Sequence, residues 1–199
     1  FFKIDAKKSY VISDKLIKEY SILKRISKNK KFKLLDITKK LGEINKQSSW
    51  INGTFQTKNL AMAIVAADLC GAKKINTENI MKNLKNIDGR LDLVKEYPNH
   101  VKVFVDYAHT PDALAKAIKS LKSKYNNSIS VVFGCGGERD FKKRSLMAKV
   151  VRSKCEKIII TDDNPRNENP NKIRKEIVKH LKGKKYFNIG DRSKAIKKA

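Results

Sequence analysis

Four short polar clusters carry most of the side chains that could do chemistry: "DYAHTPD" (Asp106 to Asp112), "GCGGERD" (Gly134 to Asp140), "DDNPR" (Asp162 to Arg166) and "GDR" (Gly190 to Arg192). Each follows an apolar, strand-like run. The third packs two carboxylates, an amide, a proline and an arginine close together, which suits a ligand-facing loop more than a plain turn. Asp, Asn, Gly and Pro at strand ends also serve as turns and helix caps. Four such clusters on one edge make a site. "VVFGCGGERD" fits neither familiar cofactor loop. A G-x-G-x-x-G would need glycine where Arg139 stands, and the methyltransferase pattern D-x-G-C-G-x-G would need an acid at Val132 and glycine at Glu138. Its glycines are expected to let backbone approach an anionic ligand, with Arg139 presented beside it. No G-x-x-x-x-G-K-[ST] loop is present to hold a triphosphate. His100, His109 and His180 lack carboxylate or thiol partners at metal-ligand spacing, so no metal site is expected in this chain. His100 and His180 read as surface residues; His109 belongs to the first cluster.

The elements that must position these clusters are a regular series. "VKVFVD", "SISVVFG", "KIIITDD" and "KKYFNIG" read as strands, ending at Asp106, Gly134, Asp162 and Gly190, 28 residues apart each time. Helical patterns lie between and after them, so the expectation is four consecutive strand-helix units in a parallel sheet covered on both faces. Ligands bind such sheets beyond the carboxyl ends of the strands, where the clusters fall. The helix from Pro111 has Thr110 as cap and Leu114, Ile118, Leu121 and Tyr125 on one face. A later helix carries Ile173, Ile177 and Leu181. Upstream, "NLAMAIVAADLCG" reads as a buried helix closed by Gly71, and "TENIMKNLKNI" as a helix capped by Thr77 with Ile80, Leu84 and Ile87 on its face. A boundary near "DGRLDLV" divides the chain into 1–87 and 88–199. Residues 1 to about 50 mix strand and helix periods and suggest no chemistry.

The net charge of +26 over 199 residues invites a nucleic-acid reading, but only eight of the 46 basic residues are arginine, and the lysines are spread along nearly every segment. That pattern fits a lysine-rich surface with at most nonspecific nucleic-acid binding. Three scattered cysteines, Cys70, Cys135 and Cys155, suggest neither a disulfide framework nor a zinc site, and fit a reducing cytoplasm. No apolar run approaches a membrane span. The chain opens on Phe, which reads as a fragment boundary.

"GTFQTKNLAMAI", "GRLDLV", "VFVDYAHTPDAL", "VVFGCGGERDFKKRSLM", "TDDNPRNENP" and "GDRSKAI" occur in the order found in the Mur ligases, and over roughly residues 53 to 199 the sequence resembles that family. Within it, the resemblance is to the branch that adds meso-diaminopimelate to UDP-N-acetylmuramoyl-L-alanyl-D-glutamate in cytoplasmic peptidoglycan-precursor synthesis. It implies a Rossmann-like C-terminal domain with a mostly parallel sheet flanked by helices, preceded by the tail of an α/β ATPase domain. The activity implied is an ATP-dependent carbon-nitrogen ligase working through an acyl phosphate, with magnesium held mainly by residues outside this chain. The resemblance further implies that Asp163, Asn164, Pro165 and Arg166, with Arg139, bind meso-diaminopimelate. A substrate end bearing an ammonium and a carboxylate suits an acid and a planar guanidinium held together. Asn59, Arg90, Asp106 and His109 would face the nucleotide, Asp106 taking the ribose hydroxyls. For Asn59 and Arg90, helix cap and surface ion pair are the competing readings. No catalytic residue is expected in this part of such an enzyme, and the partners are small molecules acting on a monomer. A nonspecific nucleic-acid-binding module and a methyltransferase are the alternatives.

Overall fold

The computed structural model describes residues 9–30, 32–47, 54–72 and 77–199. Its chain divides into two compact units, Phe1–Ile87 and Asp88–Ala199.

In the first unit, β1 (Tyr10–Ser13) and β2 (Lys33–Asp36) pair in parallel, with α1 (Tyr20–Lys30) as their crossover. α2 (Thr38–Gln47), α3 (Thr54–Leu69) and α4 (Thr77–Asn83) follow. Ile37, Leu41, Ile44, Ala61, Ile64 and Met81 form the core. α3 is buried along one side and exposed at Met62 and Leu69, so it is not wholly buried. α4 is shorter than its periodicity suggests: it stops at Asn83, leaving Leu84 and Ile87 exposed. A buried charge follows the end of β1. Asp14 is 4% exposed, pairs with Lys58 on α3 at 2.5 Å and accepts the Leu16 N–H.

In the second unit, β5 (Ser130–Phe133), β6 (Lys157–Ile160) and β7 (Tyr186–Asn188) form a parallel sheet in that order. After Lys157 the central strand is apolar throughout, as burial on both faces requires. Ile158 and Ile160 join a core made with Leu114 and Ile118 of α5 (Pro111–Tyr125), Met147 and Val151 of α6 (Lys142–Lys154), and Ile173 and Ile177 of α7 (Pro170–Val178). Ile159 points the other way and is equally buried, and α8 (Arg192–Lys198) lies against this strand. Thr110 caps α5 by accepting the Ala113 N–H. Leu121 and Tyr125 are half-buried, and Leu181 is buried beyond the end of α7.

One strand departs from the expected series. β4 (Lys102–Val105) is hydrogen-bonded to β3 (Asp92–Glu96) in an antiparallel pair, separate from the three-stranded sheet. The cause is local. "YPNH" closes a turn in which Tyr97 N–H bonds Val101 O and His100 takes φ 62, so "LDLVKE" folds back onto "VKVFV" as a hairpin. The remaining three strands keep their spacing because they are in register: Phe133 lies beside Ile160, and Ile160 beside Asn188. Their following loops therefore leave the sheet at one edge.

Candidate functional site

That edge is built from two loops, residues 134–140 after β5 and 161–169 after β6. Backbone bonds carry the sheet slightly beyond the strands: Thr161 N–H to Phe133 O at 3.0 Å, Ile189 N–H to Ile160 O at 2.9 Å and Asp162 N–H to Gly190 O at 3.1 Å. The loops are then stitched together. Gly137 N–H donates to Asn164 O at 2.9 Å, and Arg166 Nη1 donates to Gly137 O at 2.7 Å. Asn167 Nδ2 donates to Glu138 Oε1 at 2.7 Å, and Glu138 N–H donates to Glu168 Oε1. Glu138 and Arg166 both have φ 51, a left-handed conformation that costs non-glycine residues about 1 to 3 kcal/mol each. The cross-links hold them there, helped by Asn164, whose side chain accepts the Arg166 N–H.

This geometry corrects the reading of the glycines. A Cβ on Gly137 would lie 1.9 Å from Pro165 O, and one on Gly134 would lie 2.4 Å from Thr161 O. The space beside them is filled by the second loop, so they let backbone approach backbone, leaving no open cradle for a cofactor there. This argues against the methyltransferase alternative.

The predicted acceptor-site residues sit on these paired loops. Asp163, Asn164 and Arg166 are exposed, Pro165 is half-buried between them, and Arg139 is exposed on the neighbouring loop. Arg166 spends one nitrogen on Gly137, which fixes its guanidinium while the residue stays open to solvent. A shallow hollow beside it is lined by Cys135, Thr161, Asp162, Asp163, Pro165 and Arg174. Burial pushes the Cys135 thiol up to about 11, against the opposing charges of Lys143 and Arg144, so it is no nucleophile.

Three arginines that the motifs left without a role hold this edge. Arg144 is 2% exposed and bonds Glu168 and Glu176. Arg174 bonds Asp162, Asn171 and Asn188. Arg192 reaches Asp162 O at 2.7 Å and Asp163 Oδ1 at 3.4 Å. Arg192 belongs to the "GDR" cluster, whereas the helical positions of Arg144 and Arg174 resemble those of any surface lysine, so no sequence signal marked their burial.

The Arg144 hydrogen bond, then the Glu138 N–H, hold the Glu168 carboxyl below its ordinary value of 4.5. A lowered folded-state value means that the contribution is complete above the ordinary value and lost as pH falls through the folded one. The melting temperature is therefore expected to drop as pH is lowered below 4.5. Glu168→Gln should start lower and fall less steeply, as followed by circular dichroism. Parallel curves for the two proteins would contradict this.

The residues predicted to face a nucleotide divide between the units. Asn59 is exposed on α3 of the first unit. In the second, Arg90, Asp106 and His109 come together around Tyr107. The Arg90 guanidinium lies 4.8 Å from the Tyr107 ring centroid, and the His109 ring meets the same ring edge-on at 5.2 Å. Tyr107 is 64% exposed. Asp106 accepts the Leu91 N–H at 2.9 Å and the Ala108 N–H at 2.8 Å, so it fixes the loop first. Each of its oxygens keeps a further acceptor position for a hydroxyl. An exposed aromatic flanked by a cation and an imidazole, with a carboxylate beside it, fits a base and ribose. Among the described residues no group of three or more His, Cys, Asp or Glu is placed to hold a metal ion.

A family model described as Mur ligase, glutamate ligase domain, matches residues 89–199. A UDP-N-acetylmuramoyl-L-alanyl-D-glutamate--2,6-diaminopimelate ligase of Rickettsia montanensis is 42% identical over 149 residues, covering 74% of this chain and 30% of that protein. The chain thus spans about a third of the length of the curated relatives it matches. A solved structure of a UDP-N-acetylmuramoyl-L-alanyl-D-glutamate--2,6-diaminopimelate ligase superposes with TM-score 0.52 at 25% identity, covering 95% of this chain and 44% of that one. A folylpolyglutamate synthase from Thermotoga maritima shares the fold at TM-score 0.65 and 20% identity, over 96% of this chain and 50% of that one. With the matched domain taking in more than half of its residues and the whole of the strand-end edge, this chain belongs to the Mur ligase family.

Proposed function

We propose that the chain is part of an ATP-dependent ligase that joins meso-diaminopimelate to UDP-N-acetylmuramoyl-L-alanyl-D-glutamate in the cytoplasm. The observation that carries this is the stitched loop pair, which presents Asp163, Asn164, Arg166 and Arg139 on one exposed edge. The named activity of relatives at 42% identity supports the choice of acceptor amine. On this reading residues 88–199 are the carboxy-terminal domain of the ligase and residues 1–87 the end of its central nucleotide-binding domain.

The chemistry follows from charge and position. A carboxylate oxygen of the UDP-linked glutamate takes the terminal phosphoryl group of ATP, releasing ADP, and the amine then attacks the acyl carbon, releasing phosphate and a proton. Such transfer depends on positioning and charge neutralisation more than on a protein nucleophile. Arg139 and Arg166 would pair with the distal carboxylate of diaminopimelate, and Asp163 with its distal ammonium, leaving the other amine to react. Arg90, Tyr107 and His109 would hold the base, with Asp106 on the ribose. Magnesium, when bound, neutralises phosphate charge, and its ligands are assigned to the rest of the enzyme. The proposed enzyme works as a monomer on small molecules, without a specific nucleic-acid partner.

Phosphate release by the complete protein tests the reading. It should require ATP, the UDP-linked dipeptide and meso-diaminopimelate together. Phosphate release that ignores the amine, or methyl transfer from S-adenosylmethionine catalysed by the complete protein, would overturn it.

A further inference from the structure

Arg144 stands near the start of α6 with its side chain 2% exposed. Removing a guanidinium from water costs several kcal/mol unless partners replace its hydration. Its partners are unusually distributed. Nη2 donates to Glu168 Oε1 at 2.8 Å and reaches Gly136 O at 3.4 Å, while Nη1 donates to Glu176 Oε2 at 2.7 Å on α7. Its Nε has no partner, so burial is not fully compensated. Burial works against the charge, and the bonds from Glu168 and Glu176 more than offset it, keeping the group cationic. One planar fork therefore touches the loop after β5, the loop after β6 and the helix that follows. Glu168, two residues beyond Arg166, also receives the Glu138 N–H, one residue before Arg139.

We propose that Arg144 is a positioning residue that, through Glu168, sets the spacing of Arg139 and Arg166 and thereby the affinity for the distal end of the acceptor amine. The proposal rests on the acceptor assignment above. If packing alone were needed, an apolar side chain would serve as well, because a buried ion pair adds little net stability over one. What the planar fork adds is direction: two loops are held from one rigid group at fixed angles. Lysine can keep the charge but reach fewer of these partners.

The test uses the complete ligase as wild type, Arg144→Lys, Arg144→Met and Glu168→Gln, with KM for each of the three substrates, kcat and melting temperature. Misplacing a binding group by a fraction of its length is expected to raise KM for meso-diaminopimelate by about tenfold or more. KM for ATP and for the UDP-linked dipeptide should stay within about twofold, the signature of a lost local contact. Among the Arg144 variants, Met should be worse than Lys. If Arg144→Met does not fold, the Lys and Gln variants still decide the matter. A lowered melting temperature with unchanged amine KM, or a parallel rise for all three substrates, overturns the positioning role. A wild type that uses a different amine sinks the acceptor assignment instead, and the same KM comparison can then be made with that amine.

Discussion

Arg166→Ala in the complete enzyme is expected to raise the half-saturating concentration of meso-diaminopimelate steeply, with that of the UDP-linked dipeptide nearly unchanged. A charge-assisted contact to a partly desolvated carboxylate is worth about 2 to 5 kcal/mol when one partner is truncated. Here the substitution has a second effect. Arg166 Nη1 also holds the Gly137 carbonyl at 2.7 Å, so the alanine variant loses part of the stitching between the loops. Arg166→Lys should recover only some of the loss, because an ammonium keeps the charge but not the planar geometry that serves both partners. Steady-state kinetics with the amine varied would show this. Equal KM values for wild type and Arg166→Ala would remove the contact.

Gly137→Ala should damage the same edge without touching any side chain assigned to substrate. The added Cβ would sit 1.9 Å from Pro165 O, and the obstacle is backbone, which cannot rotate aside. The loops must part, breaking the Gly137 to Asn164 and Arg166 to Gly137 hydrogen bonds. Overpacking of this kind costs about 1 to 3 kcal/mol, and the upper end is expected here. Thermal denaturation should show the destabilisation, accompanied by weaker use of the acceptor amine. A variant with wild-type melting temperature and wild-type amine KM would mean that the loops have room the structure does not show.

Much of this arrangement was legible in the sequence because it depends on short-range rules. The Thr110 and Pro111 pair starts a helix for reasons contained in those two residues, and the buried run "KIII" can only be a central strand or a buried helix segment. Even spacing of strand ends was informative for the last three clusters, whose strands β5, β6 and β7 pair in register, and misleading for the first, whose strand β4 lies in the separate hairpin. The hairpin of β3 and β4 was missed because its partner strand, "DLVKE", is mostly exposed and so lacks the apolar alternation of a half-buried strand. The elements before residue 47 were hidden the same way: α1 has no buried residue and its lysines blur the period. The glycines show a different limit. Composition reveals that backbone comes close to something at Gly137, but only the fold shows that the something is Pro165. Arg144 shows it again, for a buried arginine and a surface one look alike in a string of basic residues.

The acceptor assignment is the central claim, and the ratio of kcat/KM for meso-diaminopimelate over L-lysine with the wild-type complete enzyme tests it most directly. Lysine lacks the distal carboxylate, so the charge-assisted contact to Arg166, worth about 2 to 5 kcal/mol, is missing from its complex. A strong preference for meso-diaminopimelate is expected, shrinking in Arg166→Ala because both amines then lack that contact. A wild-type enzyme that uses L-lysine as readily as meso-diaminopimelate would contradict it.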